Sequence, residues 1–353
     1  MGELYIEEAP NPMFLTGFFQ APAKNFFTSK TVEVDIDRDS EDVAIVVHDL
    51  AAGRRKNELT KYENKEFTPP VFDEEGDMSA YALLDRRAGN DPFAEIEYGI
   101  QAAEDAFRLF TRCQKKIGRA VELMAAQILT TGTVTCVDSA GVALYTIDYG
   151  MRAAHKIPVT WALDGSTGDP ETDLYGAGKL MRANGKTNAT KLVCGATALS
   201  KLLANAKISK KLVRDGFNLG QLMPSARGEG ATFFGYVWIG MYRMEIWTYD
   251  GMYKDPVSGL MKFYVPENVI IMLPDKPRFD AKFGRIPLFK KPNGSGIPGL
   301  PQFPSRISSS DKVLDLTVNS WITEDGKHAM MSCGTRPLLI PTAIDQFVCI
   351  TVS

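Results

Sequence analysis

Apolar side chains recur at Ile100, Ala103, Phe107, Phe110, Ile117, Val121, Met124 and Ile128, in steps of three, four and seven residues. That spacing lays them along one stripe of a helix, with Glu104, Asp105, Arg108, Arg112, Lys115, Lys116, Arg119 and Glu122 mostly on the other side. With a start signal at Asp91-Pro92 and an end by Thr131, the stripe from Ile100 to Ile128 predicts a helix of about 30 residues, about 45 Å long, where globular helices average about 11 to 12 residues.

The stretch before it has a different period. Val32, Val34 and Ile36 alternate with Glu33, Asp35 and Asp37, which predicts a half-exposed strand over residues 31–36. Residues 43–47 read as a second strand, with 38–42 as the turn between them. Beyond lie Gly53-Arg-Arg-Lys-Asn-Glu58 and Lys61-Tyr-Glu-Asn-Lys-Glu-Phe-Thr-Pro-Pro70, charged and without helical period. Such a hairpin and loop has too few apolar residues for a core of its own and must lie on another surface. Residues 10–19 are aromatic but punctuated by Pro10, Pro12 and Gly17, which predicts an extended arm or short helix that docks elsewhere.

After the long helix, residues 133–137, Asp138-Ser-Ala-Gly141 and residues 142–147 read as strand, turn and strand. Asp169 as N-cap, Pro170 as first helical residue and Glu171 in the first turn open a helix to about Ala183, stopped at Asn184-Gly185. A strand over 189–194 and a helix from Gly195 to Ala204 follow. Strands are expected over 231–239, 242–249, 262–265, 269–273, 329–333 and 347–352. Residues 290–304, with four prolines and three glycines, form a loop that is functional or ordered by partners.

Composition narrows the classes of function. With 353 residues, 44% hydrophobic and 24% charged, the chain is an ordinary folded protein able to bury a sizeable core. Forty basic against 43 acidic residues give a net charge of -3, so it is no polycation seeking nucleic acid. Cys113, Cys136, Cys194, Cys333 and Cys349 share no CxxC spacing and read as buried free thiols of a reducing cytoplasm. Residues 1–8 lack the basic and apolar regions of a signal peptide, and no apolar run approaches the roughly 18 residues of a membrane span.

Candidate chemistry is sparse. His48, His155 and His328 show no HExxH or HxH spacing, no phosphate loop occurs, and no cofactor or metal is expected. His328 with Cys333 is a conceivable base and nucleophile, although a strand histidine and a packed thiol is the simpler reading. The aromatic group from Phe233 to Tyr249 reads as sheet core before sugar platform. Arg54-Arg-Lys56 is answered by Glu58, Glu63, Glu66, Asp73, Glu74, Glu75 and Asp77, opposite blocks suited to register between subunits. The candidate contacts between subunits are therefore Phe18, Phe19, Arg54, Arg55, Lys56, Glu63, Lys65, Glu66, Glu74 and Glu75.

In its order of aromatic arm, extended loop, long helix, hairpin, α/β unit and returning strands, the chain resembles the lambda-type major capsid proteins of tailed bacteriophages. Pro12-Met-Phe-Leu-Thr-Gly-Phe-Phe19, Phe26-Phe-Thr-Ser-Lys-Thr-Val32, Phe67-Thr-Pro-Pro70 and the closing stretch from Arg336 to Val352 carry the resemblance. It implies an α+β Hong Kong 97-type capsid fold: N-terminal arm 1–28, extended loop 29–80, peripheral domain with spine helix 81–165, axial domain 166–265, and return to the peripheral domain 266–353. It further implies hexamers and pentamers building an icosahedral shell around double-stranded DNA, with no enzymatic activity and no membrane contact. The implied partners are a decoration protein, a scaffolding protein and a portal, and the implied site of assembly is the host cytoplasm. Lys56, Lys61 and Lys65 would be cross-link candidates, although a solvated or salt-bridged face is the plainer role. A bacterial nanocompartment shell is the alternative within the fold, and a hydrolase or carbohydrate-binding protein is the alternative outside it.

Overall fold

The computed structural model describes residues 13–22, 26–36, 63–81, 98–138, 140–213, 225–226, 230–286, 305–309 and 314–353. Helix α1 spans Tyr98–Thr131, and the expected start at residues 91–97 lies outside the described residues. Its 34 residues make a rod about 50 Å long.

The periodicity reading holds for Ile117, Val121, Met124 and Ile128, all buried, and fails at two positions. Phe107 is 64% exposed, because Ala106 and Cys113 continue the buried line instead. At 3.6 residues per turn, position 106 falls about 20° from the bearing of Ile117 and position 107 about 80° away. Glu122, expected on the outer side, is 0% exposed. From Ile117 onward the helix is enclosed on nearly every side, with Gly118, Ala125, Ala126 and Leu129 buried as well, so a single stripe no longer describes it.

A mixed sheet carries the rest. Its strands run in the order Ser225–Ala226, Ala231–Ile239, Tyr242–Tyr249, Lys191–Cys194, Val269–Leu273, Val348–Val352 and Lys156–Val159, with Leu212–Val213 also paired to Ala231–Ile239. Alternate residues of the central strands enter two different cores: Val193, Val269, Ile271 and Leu273 face the core of α1, whereas Leu192, Cys194, Ile270 and Met272 face the other. That second core is closed by α2 (Pro170–Gly185), α3 (Ala196–Ala204) and α4 (Ala206–Lys211), through Leu174, Met181, Leu202 and Ile208. Asp169 and Pro170 open α2 as expected, and Lys186 in a left-handed conformation, φ 53°, closes it.

Two smaller ladders take up the charged segments on either side of residues 68–71. Val32–Ile36 pairs antiparallel with Glu63–Phe67, from Val32 opposite Phe67 to Ile36 opposite Glu63. The expected strand at 43–47 lies outside the described residues, and the described partner comes instead from the stretch read as charged loop. Val32, Val34 and Phe67 fasten this ladder to the core, the Phe67 ring lying 5.1 Å from Tyr149. The second ladder is a sheet in the order Ser305–Ser309, Leu314–Ile322, His328–Thr335 and Phe72–Ser79. The expected loop at 290–304 lies outside the described residues.

Candidate assembly surfaces

Residues 13–20 lie against α1, and one side chain holds them there. The Glu122 carboxylate accepts from Leu15 N at 2.7 Å, Thr16 N at 2.9 Å, the Thr16 hydroxyl and the Tyr249 hydroxyl at 2.8 Å. Tyr249 belongs to the mixed sheet, so a single buried acid ties arm, helix and sheet together. Phe19 is 1% exposed with its ring 5.2 Å from Phe279, so it is occupied inside the subunit. Phe18 is half-buried, 5.3 Å from Phe14, with Lys191 Nζ 5.9 Å from its ring.

Burial pushes the Glu122 carboxyl above the ordinary value of 4.5, and its four donors pull it back without cancelling the shift. The folded chain therefore holds this proton more tightly than the unfolded chain does. The group's contribution to stability is full below the ordinary value and is lost as pH rises through the raised one. The stability difference between the unaltered chain and Glu122→Gln should accordingly fall as pH is raised from 4.5 in parallel denaturant titrations. A difference that grows with pH would mean that the donors outweigh burial.

The remaining sequence candidates fall on two ladders. Glu63 and Lys65 lie on the strand Glu63–Phe67, Glu66 is exposed beside them, and Arg54, Arg55 and Lys56 lie outside the described residues. Glu74 and Glu75 sit on the edge strand Phe72–Ser79, where the pleat separates them. Glu74 turns to α1 and pairs with Lys116 at 2.9 Å. Gly76 also lies against α1, so close that a Cβ there would stand 2.4 Å from Leu109 Cδ2. Asp73, Glu75 and Asp77 form an exposed acidic row on the other side, joined by His328, whose Nδ1 is 2.8 Å from Asp77. Charge on a sheet edge discourages indiscriminate strand pairing while leaving the edge readable by a basic partner.

A further surface was not singled out from the sequence. In the hairpin of Thr133–Val137 and Ala143–Asp148, Val142 and Leu144 are exposed, and beside it so are Val257, Leu260 and Met261. Gly141, at φ +79°, brings the two turns together: a Cβ there would lie 2.9 Å from Val257 Cγ2. Asp255 shapes the second turn by accepting from the Ser258 hydroxyl at 2.7 Å and pairing with Lys262. The available signal was that a two-stranded hairpin with apolar residues on both faces can bury only one of them. Contiguous exposed apolar side chains mark an interaction surface. Trp238 and Met241, at the tip of the Ala231–Tyr249 hairpin, form another exposed pair. Of its other aromatic residues, Phe233, Tyr242 and Tyr249 are buried as the core reading expects, whereas Phe234, Tyr236 and Trp247 are half-buried.

The conceivable nucleophile pair does not come together. His328 and Cys333 are five residues apart on the strand His328–Thr335, hence on opposite faces, and burial pushes the Cys333 thiol up to about 12. All five cysteines are unpaired, four of them buried. Among the described residues no group of three or more His, Cys, Asp or Glu side chains could hold a metal ion, and no helix is long and apolar enough to cross a membrane.

An apolar hairpin face and an acidic sheet edge that nothing in the described subunit covers are the marks of a protein completed by neighbours, on a fold of the shell-building class. The family model described as phage major capsid protein E matches residues 5–352, and the chain belongs to that family. It is thus a major capsid protein of a bacteriophage, a virion component that forms the icosahedral head shell from many copies. The solved putative capsid protein of a prophage of E. coli CFT073 is similar at 17% identity and TM-score 0.59, over 97% of this chain and 93% of that one. The capsid of an empty GTA particle is similar at 10% identity and TM-score 0.51, over 100% and 94%. These likenesses bear out the expected α+β, Hong Kong 97-type fold. The SrpI encapsulin of Synechococcus elongatus PCC 7942, at 9% identity, 99% and 89% coverage and TM-score 0.44, is too distant to argue for a nanocompartment. No curated protein matches the chain significantly.

Proposed function

We propose that the subunit assembles as hexamers and pentamers into a shell that encloses double-stranded DNA, in the host cytoplasm and without enzymatic activity. In this reading residues 1–28 are the arm, 29–80 the extended loop over a neighbour, 81–165 and 266–353 the peripheral domain, and 166–265 the axial domain around each capsomer centre. A scaffolding protein, a decoration protein and a portal complete the assembly. The observation that carries the reading is the joint exposure of Val142, Leu144, Val257, Leu260 and Met261, an apolar surface that repeated copies would cover. Many modest interfaces of this kind add up to a stable closed surface.

Light scattering and negative-stain microscopy of the protein, expressed alone and with its neighbouring genes, test this directly. Closed particles tens of nanometres across, or rings of six and five, support it, and a monodisperse monomer under every condition overturns it. Particles filled with DNA, as opposed to a cargo enzyme, separate the phage head from a nanocompartment.

The double substitution Val142→Asp with Leu144→Asp should leave the subunit folded, because both side chains are exposed and surface changes usually cost within about 0.5 kcal/mol. Particle yield in sedimentation should nevertheless fall at least about tenfold, the factor set by each 1.4 kcal/mol lost at a contact. Undiminished yield would remove this hairpin from the proposed contacts.

A further inference from the structure

Within α1 the residues from Ala106 to Val121 include five bases, Arg108, Arg112, Lys115, Lys116 and Arg119, and no acid. In a chain of net charge -3 this is a local exception. Four of the five share one side. At about 100° per residue, Arg108, Arg112, Lys115 and Arg119 fall within about 40° of the bearing opposite the buried Ile117, and they rise about 16 Å along the axis. Arg108 and Arg112 are exposed, and Lys115 and Arg119 are half-buried. Glu104 bounds the stripe at one end, and at the other the residues held on Glu122 take over that side of the helix. Lys116 lies on the flank and pairs with Glu74 at 2.9 Å. The exposed acids Asp73, Glu75 and Asp77 alternate with Glu74 and Gly76 along their strand, so they point away from α1 and from the stripe.

The make-up of the stripe selects the kind of anion it suits. A folded protein partner is held by apolar or aromatic anchors in a desolvated centre, and on this side of the helix only Thr111 lies among the four bases. A nucleic-acid backbone needs no such anchor, because charge alone holds it. Arginine, three of the four, presents a planar fork that takes a phosphate through two hydrogen bonds. The stripe is as long as about five base-pair steps of 3.4 Å. We infer that Arg108, Arg112, Lys115 and Arg119 form a phosphate-binding stripe for double-stranded DNA, a contact that holds the duplex without reading its sequence. The identity of the ligand rests on the proposed shell around DNA, and the site rests on the placement of charge.

The test uses the full-length chain at a dilution where light scattering detects no particles, so its outcome is independent of shell assembly. Binding to a fluorescent duplex is followed by anisotropy between about 50 and 200 mM NaCl. Neutralising three or four phosphates should give a slope of log K against log salt of about -2.7 to -3.6, which weakens binding roughly 40- to 150-fold over that range. Arg108→Gln with Arg112→Gln, both exposed, should make the slope shallower by about 1.8, equally for duplexes of different sequence. Lys210→Gln with Lys327→Gln removes the same charge from exposed positions on α4 and on the turn between Leu314–Ile322 and His328–Thr335, and should leave the slope unchanged. Circular dichroism and thermal scans verify that each variant is folded. An unchanged slope in the arginine pair, an equal change in the lysine pair, or no binding at the lowest salt overturns the inference. So does a polyglutamate peptide of equal charge that binds more tightly than the duplex, which would assign the stripe to an acidic protein. Normal particles from a chain that leaves the duplex unbound strike this inference alone, whereas duplex binding by a chain that never forms particles strikes the shell reading alone.

Discussion

A chain in which residues 37–62 are replaced by Asn-Gly is expected to fold into the same subunit and to build no closed shell. Ile36 and Glu63 face each other in the antiparallel ladder, and a two-residue Asn-Gly turn is the natural closure for directly paired strands. The buried Val32, Val34 and Phe67 that fasten the ladder keep their places. The cut has to stop there. A deletion running to Pro70 would remove the strand Glu63–Phe67 and the buried Phe67, Pro69 and Pro70, and would confuse folding with assembly. Run out and back, the replaced segment reaches at most about 40 Å, enough to lie over an adjacent subunit as proposed. It also carries Arg54, Arg55 and Lys56, the counterpart proposed for the acidic row of Asp73, Glu75 and Asp77 on another copy. Because such a contact recurs at every interface, its loss is compounded, and closed particles should fall below about one hundredth of the normal yield. Circular dichroism and a thermal scan verify the fold, and sedimentation with negative-stain microscopy reads the shells. Normal particles from this chain would end the proposed role of the loop.

How much of the fold was legible in the sequence depended on where the information lay. The strands Ala231–Ile239, Tyr242–Tyr249 and Val269–Leu273 were found at their observed bounds, since apolar runs and turn residues are local signals. The opening of α2 at Asp169-Pro170 was legible for the same reason. Glu63–Phe67 was not, because a segment reading Glu-Asn-Lys-Glu-Phe becomes a strand through its partner, which supplies the ladder and the buried face. Exposure of Val142 and Leu144 was hidden in the same way: whether an apolar strand face is covered is decided by segments distant in sequence. Glu122 was misplaced by charge alone. Its helical neighbours Gly118, Ala125, Ala126 and Leu129, at steps of four, three, four and seven, are apolar or small. Spacing alone would have put it inside, where an acid survives only if donors converge on it.

Glu122→Ala should cost about 3–5 kcal/mol and release the arm without unfolding α1, on the scale of leaving two or more buried donors without an acceptor. Four donors lose their acceptor, two of them backbone N–H groups of Leu15 and Thr16, and each buried orphan costs about 1–3 kcal/mol. The chain has one way to limit that loss, which is to let residues 13–20 peel away and rehydrate. Peeling exposes Leu15 and Phe19, both buried, at about 1.5–3 kcal/mol each. The two routes are comparable in cost, so the destabilisation saturates near the docking energy of the arm instead of growing to the sum of four orphans. In a thermal scan this amounts to a Tm lower by about 6–20 °C, taking roughly 2–4 °C per kcal/mol for a large domain. Limited proteolysis should cut near residues 13–20 while fragments containing α1 persist. Glu122→Gln, which keeps the volume and one acceptor oxygen but turns an amide NH2 toward the remaining donors, should fall between the two. An unchanged Tm with a protected arm in Glu122→Ala would show that apolar packing of Leu15 and Phe19 holds the arm by itself, and Glu122 would lose its place as the tie between arm, helix and sheet.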